Sequence, residues 1–180
     1  MNWANLITYF RMLLIPMVVL SYYSELQYAN MLAAMLFTLA SLSDWLDGYL
    51  ARRLNQTSEF GAFLDPVADK LLVVAVLIML VGELNPLLVP TIVIIAREVM
   101  ISALREWMAT RGHREAVAVT FSGKLKTTFQ MIATVALILV TESSPDWLLM
   151  TGFVMIYIAA LLSLYSALYY FKAARPYLSP

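Results

Sequence analysis

Six runs of mostly apolar residues, each near the length a helix needs to cross a bilayer, constrain this chain more than any other feature. A hydrocarbon core of about 30 Å calls for roughly 20 residues of helix. The runs cover Leu6–Tyr23, Tyr28–Leu42, Phe60–Val81, Pro86–Trp107, Leu125–Thr141 and Trp147–Phe171. With 62% hydrophobic and 13% charged residues over 180 positions, the chain is far more apolar than an ordinary soluble domain. The expected fold is all-α, a polytopic bundle of six transmembrane helices in a single integral membrane domain spanning residues 1–180. The breaks between runs are short, and no linker or repeat marks a second domain. Two runs are irregular. The second is short unless Ser43 to Tyr49 continue its helix, and the fourth carries Arg97 and Glu98 in its middle.

The charges set an orientation. Loops after the first, third and fifth runs hold Glu25, Glu83, Glu142 and Asp146 and no Lys or Arg. The positive-inside rule therefore puts the opposite helix ends, and both termini, on the cytoplasmic side of the inner membrane. Lys172 and Arg175, closing the last run, agree. The first run reads as a retained helix and not a cleaved signal, because Met1–Asn5 has no base and no A-x-A-like site follows. Tyr22, Tyr23, Tyr28, Tyr169, Tyr170 and Tyr177 fall at run ends as an aromatic belt, and the eleven Met residues suit gap-filling within a bundle.

Some chemistries are excluded. Without cysteine there is no disulfide, thiolate metal site or Cys nucleophile. Twelve basic and twelve acidic residues balance to zero, so net charge points to no nucleic-acid partner. His113, the one histidine, lies between Arg111 and Arg114 and reads as a loop residue.

The stretch from Asp44 to Lys70, DWLDGYLARRLNQTSEFGAFLDPVADK, holds five of the twelve acids. Asp44 and Asp47 are three apart and Asp65 and Asp69 four apart, so each pair shares a helix face. One pair ends the second run and the other begins the third, and the short connection, with a turn at Leu54 to Thr57, makes the helices antiparallel. Four carboxylates then converge. Packed like charges repel unless a cation compensates, and an oxygen-only set suits Mg²⁺, Mn²⁺ or Ca²⁺ and not zinc or copper. Gly48 and Ala51 clear one helix face for a flat or phosphorylated ligand, Arg52 can grip a phosphate, and Gly61 thins the facing helix. Pro66 either opens a helix capped by Asp65 or bends one that starts nearer Phe60.

A second cluster is basic. Arg97 lies about 16 Å along its helix, where a charge needs a partner or a polar cavity. Glu98 or an aspartate could pair with it simply to hold the bundle. Arg97 and Arg105, eight apart, share a face and suit a phosphate held by two guanidinium groups. Lys124 and Lys126 open the fifth run, and Lys126 reads as an ordinary positive flank. Arg111 and Arg114 set topology or attract anionic headgroups.

The spacing D-x2-D-G-x2-A-R-x8-G-x3-D-x3-D is met without a gap by Asp44, Asp47, Gly48, Ala51, Arg52, Gly61, Asp65 and Asp69. It resembles the defining motif of the CDP-alcohol phosphotransferase family, integral membrane enzymes of phospholipid synthesis. The segment from Asn5 through Thr8 to Arg11 is similar to the one that precedes the family's catalytic helices. REVMISALREW (Arg97 to Trp107) and GKLKTTFQM (Gly123 to Met131) resemble the branch whose acceptor is sn-glycerol 3-phosphate. The resemblance implies a six-helix homodimer with a cytoplasmic active site, transferring a phosphatidyl group from CDP-diacylglycerol to glycerol 3-phosphate with release of CMP. Asp44, Asp47, Asp65 and Asp69 would hold Mg²⁺ (or Mn²⁺), with Asp65 and Asp69 catalytic and Asp69 the base. Asn5, Thr8, Gly48, Ala51, Arg52 and Gly61 would line the substrate site, with Gly48, Ala51 and Arg52 on the CMP portion. Arg97, Arg105 and Lys124 would take the acceptor's phosphate.

The chemistry suits the residues. Displacing CMP needs charge neutralised on the transferring and leaving phosphates, and an attacking alcohol needs a carboxylate base. Competing readings are a family member using phosphatidylglycerol or an inositol phosphate, a membrane prenyltransferase, and a divalent-cation transporter. The Gly48-Ala51-Arg52 spacing has no purpose in a prenyltransferase, and a transporter predicts acids near the midplane and access from both sides.

Overall fold

In the computed structural model, residues 3–54, 59–117 and 121–178 are described, with the side chains of all of these except 3–7, 44–54, 59–63, 65, 114, 121–122, 124 and 178. Among the described residues there are six long helices and no strand: α1 (Trp3–Tyr22), α2 (Ala29–Leu54), α3 (Glu59–Glu83), α4 (Leu88–Thr110), α5 (Phe121–Ile138) and α6 (Asp146–Leu178). Short 3₁₀ turns over Asn85–Leu87 and Arg114–Val117 precede α4 and α5.

The second helix runs on to Leu54, past the apolar run, so Asp44 and Asp47 stand on its last turns. Pro66 lies inside α3, seven residues after its first residue, Glu59, and therefore does not open the helix. The third helix carries Asp65 and Asp69 near its start, so both pairs of acids occupy helical segments flanking the connection 55–58. At the far end of α4 the chain turns sharply. Gly112 adopts φ 77°, its N–H donates to the Ala109 carbonyl, and the His113 N–H donates to Met108 O at 2.9 Å. That pair of bonds ends a helix by using a residue free of Cβ in the left-handed region. His113 is accordingly a turn residue, its ring 4.3 Å from that of Tyr177.

Side-chain bonds fix the helix directions. Ser21 near the end of α1 donates to Ala29 O at the start of α2, so these two are antiparallel. Tyr23, just past α1, donates to Met79 O near the end of α3, which makes α3 parallel to α1. Asn30 donates to Ile138 O at 2.8 Å and to Val140 O at 2.9 Å, so the start of α2 caps the end of α5. Those bonds satisfy carbonyls that a helix end leaves unpaired, and α5 stops at Ile138, short of the Thr141 to which the apolar run extends. Chain direction thus alternates helix by helix. The starts of α1, α3 and α5 and the ends of α2, α4 and α6 form one pole of the bundle.

The main core lies between all six helices, with Leu14, Val18, Phe37, Leu72, Leu77, Leu80, Ile94, Leu137 and Ile156 at most 2% exposed. Small residues let backbones approach: Ala33 and Ala40 of α2 are fully buried, and Gly152 of α6 sits against Leu137. A second core, Ile101, Leu104, Met108, Val117, Tyr170 and Ala174, joins α4 to α6 at the pole where both helices end. Many large apolar side chains face outward, among them Leu20, Met35, Ile78, Ile92, Val99, Leu161 and Leu168. So much exposed apolar surface suits lipid better than water. Two segments, Asn85–Thr110 and Asp146–Tyr177, are long and apolar enough to cross a membrane, while Thr8–Tyr22, Ala29–Ser43 and Leu125–Ile138 are apolar but shorter.

Candidate active site

One cavity of about 460 Å³ opens between α3, α4, α5 and α6, and it gathers the buried side chains of Arg97, Lys126 and Gln130. Helix α3 contributes Asp69 and Lys70, α4 contributes Arg97, Glu98, Ser102 and Arg105, α5 contributes Gly123, Lys126, Thr127 and Gln130, and α6 contributes Tyr170. Helical spacing accounts for the convergence. Residues 97, 101 and 105 recur every turn of α4, as do 126 and 130 on α5 and 166 and 170 on α6, so each helix turns one stripe inward.

Arg97 is the organising group. It is 7% exposed, and its Nε and Nη2 donate to Ser166 Oγ at 3.2 and 3.0 Å. Its Nη1 reaches Glu98 Oε1 at 3.4 Å, and the guanidinium carbon lies 5.6 Å from the centroid of the Tyr170 ring. A buried charge requires such partners. The same Glu98 oxygen accepts from Lys126 Nζ, which ties α4 to α5. Arg105 lines the cavity two turns beyond Arg97 and has no ion pair among the described residues. Among the described residues that line it, four cationic side chains, Lys70, Arg97, Arg105 and Lys126, outnumber two acids, Asp69 and Glu98, an arrangement suited to an anion.

Beside it runs an apolar groove of about 680 Å³ between α2 and α5, lined by Phe37, Leu42, Ile132, Val135, Leu139 and Leu148. The groove and the cavity share Asp69, Thr127 and Met131. Among the described residues, the polar cavity and the apolar groove therefore share the Asp69 carboxylate. Thr8 and Arg11 of α1 are fully buried, and Arg11 Nε donates to Ser43 Oγ at 3.5 Å, just before Asp44 on α2.

Of the residues singled out in the sequence, Asp69, Arg97 and Arg105 meet in the cavity, and Thr8 is buried on α1. The side chains of Asn5, Asp44, Asp47, Gly48, Ala51, Arg52, Gly61, Asp65 and Lys124 lie outside the described residues. Among the described residues no cluster of three or more His, Asp or Glu could hold a metal. Two expectations need correction. Lys126 is not an ordinary flank, since it is 3% exposed and paired with Glu98. Tyr170 is not part of an interfacial belt, since it is 2% exposed and packs on Arg97. Glu98, Ser166 and Gln130 were not anticipated as site residues. The pairs Lys126/Gln130 and Ser166/Tyr170, each four apart on one helix, were the signal available.

The architecture and this site define a class. The profile of the CDP-alcohol phosphatidyltransferases matches residues 1–165, and the chain belongs to that family. Among characterised relatives, the CDP-diacylglycerol–glycerol-3-phosphate 3-phosphatidyltransferase of Escherichia coli strain K12 is 45% identical over 177 residues, covering 97% of this chain and 95% of the relative. The protein of the same name from Salmonella choleraesuis strain SC-B67 has the same identity and coverage.

Proposed function

We propose that this chain transfers the phosphatidyl group of CDP-diacylglycerol to sn-glycerol 3-phosphate, giving phosphatidylglycerol phosphate and CMP. The observation that carries this reading is the cavity that, among the described residues, sets Asp69 beside four cationic side chains and adjoins an apolar groove. Arg105 and Arg97 bind the phosphate of the acceptor, Arg97 being held in place by Ser166 and Glu98. Arginine forks suit a phosphate monoester. The groove between α2 and α5 takes an acyl chain of the lipid donor, whose headgroup then lies near Asp69. Gly48, Ala51 and Arg52 contact the CMP portion, and Asn5, Thr8, Gly61 and Lys124 complete the substrate site.

Asp44, Asp47, Asp65 and Asp69 would hold Mg²⁺, or Mn²⁺ in its place. Their donor set fits a hard divalent ion, being oxygen only, and they stand on the facing ends of α2 and α3 joined by residues 55–58. Bound there, such an ion supplies charge neutralisation on the two phosphates of the donor. Asp69 takes the proton of the attacking hydroxyl as that oxygen bonds to phosphorus and CMP departs.

This reading includes six membrane spans, a homodimer, and a site at the cytoplasmic face of the inner membrane. Its support is the outward apolar surface, the alternation of chain direction and the lack of bases in three of the loops. The test is purified protein in detergent with CDP-diacylglycerol, Mg²⁺ and a panel of acceptors, following CMP release. Glycerol 3-phosphate should be used in clear preference to inositol phosphate, serine and phosphatidylglycerol. Equal use of these acceptors would refute the assignment of the substrate.

A further inference from the structure

Gln130 follows Lys126 by one turn of α5, and both line the polar cavity. Its side chain is 3% exposed, and its Oε1 is buried with no hydrogen-bond partner among the described residues. Buried polar atoms are rarely left in this state, because an unmade hydrogen bond there is costly. The nearest cation along its own helix, Lys126, is engaged by Glu98, and Arg97 is engaged by Ser166 and Glu98. The hydroxyls of Ser102 and Thr127, which also line the cavity, donate to Glu98 O and Gly123 O, so among the described residues Gln130 Oε1 is the buried acceptor there that has no donor. An amide oxygen repels phosphate oxygens, so of the groups on a polyol phosphate only a hydroxyl can donate to it.

We propose that Gln130 Oε1 accepts a hydrogen bond from the hydroxyl of the acceptor substrate that neither attacks nor carries the phosphate. It is thus the specificity-determining residue that selects a polyol phosphate over its deoxy analogue. The inference rests on the function proposed above. In glycerol 3-phosphate the group concerned is the C2 hydroxyl, between the attacking C1 oxygen and the phosphate held by the two arginines. A site that pairs a buried polar atom with a substrate hydroxyl rejects the analogue lacking it more strongly than an apolar pocket rejects a missing methylene.

The experiment compares kcat/KM for glycerol 3-phosphate and for 3-hydroxypropyl phosphate, which lacks only the C2 hydroxyl, by CMP release from CDP-diacylglycerol. The wild-type protein is expected to prefer glycerol 3-phosphate by roughly tenfold or more, the worth of a neutral hydrogen bond to a buried acceptor. Gln130→Met, close in shape but with no acceptor oxygen, should bring the ratio to within about twofold, while Gln130→Glu, which keeps an oxygen, retains the preference. KM for CDP-diacylglycerol should not move in either variant. Should Gln130→Met fail to fold, Gln130→Asn withdraws the oxygen by one methylene and should lose the preference in the same way. A wild-type ratio near one, or a Gln130→Met protein that discriminates as the wild type does, overturns the inference while leaving the proposed function standing. Wild-type protein that uses neither compound but does use another acceptor overturns that function, and this inference with it.

Discussion

The ammonium of Lys126 on α5 is paired with the carboxylate of Glu98 on α4, 28 positions earlier in the chain, and both line the polar cavity. Glu98→Gln leaves the buried Lys126 without its carboxylate and is expected to cost about 3–5 kcal/mol of stability, the range for an uncompensated buried charge. Lys126→Met should cost less, because Glu98 keeps Arg97 as a partner. The double variant should recover part of that loss. Thermal unfolding in detergent checks the order, and additive losses would show that the two side chains are not coupled.

Arg105 lacks the partners that hold Arg97, so its loss should be felt by the substrate more than by the fold. Arg105→Ala should raise KM for glycerol 3-phosphate by roughly tenfold or more, as expected for a charge-assisted hydrogen bond. KM for CDP-diacylglycerol and the melting temperature should change little. Arg105→Lys restores the charge without the planar fork and should fall between the two. An unchanged acceptor KM in the Ala variant would remove Arg105 from the phosphate site.

Asp69 stands where the polar cavity meets the apolar groove. Asp69→Asn keeps the shape and removes the base, so turnover should fall by roughly 10²–10⁴-fold or more. Binding of CMP should survive, measured by calorimetry or by protection against thermal unfolding. Chelation with EDTA should also abolish CMP release, and Mg²⁺ or Mn²⁺, but not Zn²⁺, should restore it. Activity that persists in EDTA would disprove the metal requirement.

Gly152 is a packing constraint far from the chemistry. A Cβ there would lie 2.6 Å from both Cγ and Cδ2 of Leu137, which is fully buried. Gly152→Ala is therefore expected to destabilise the α5–α6 contact by about 1–3 kcal/mol through overpacking. Leu137→Ala in the same chain should relieve the clash at the expense of a cavity. A Gly152→Ala protein with an unaltered melting temperature would mean that the two helices do not approach this closely.

The reading of the sequence was most secure where the signal is local. Apolar runs located the six long helices found among the described residues, and Arg97 with Arg105 was recognisable as a shared stripe. It failed where a residue's role depends on a neighbour distant in sequence. Lys126 looked like a topogenic flank because its partner lies on another helix, and Tyr170 looked like a belt residue because position near a helix end does not reveal which way a ring points. Glu98 was visible only as a possible counter-ion for Arg97, and nothing in its own helix shows that it also meets Lys126.

What the sequence determined by itself was the set of elements and their chemical type, since hydrophobic periodicity and residue chemistry act over one or two helical turns. What only the tertiary structure decided was which stripes face one another. That outcome depends on how α3, α4, α5 and α6 rotate to pack small residues such as Gly152 closely and to give buried charges their partners. These conditions bind residues tens of positions apart, and only the assembled bundle satisfies them together.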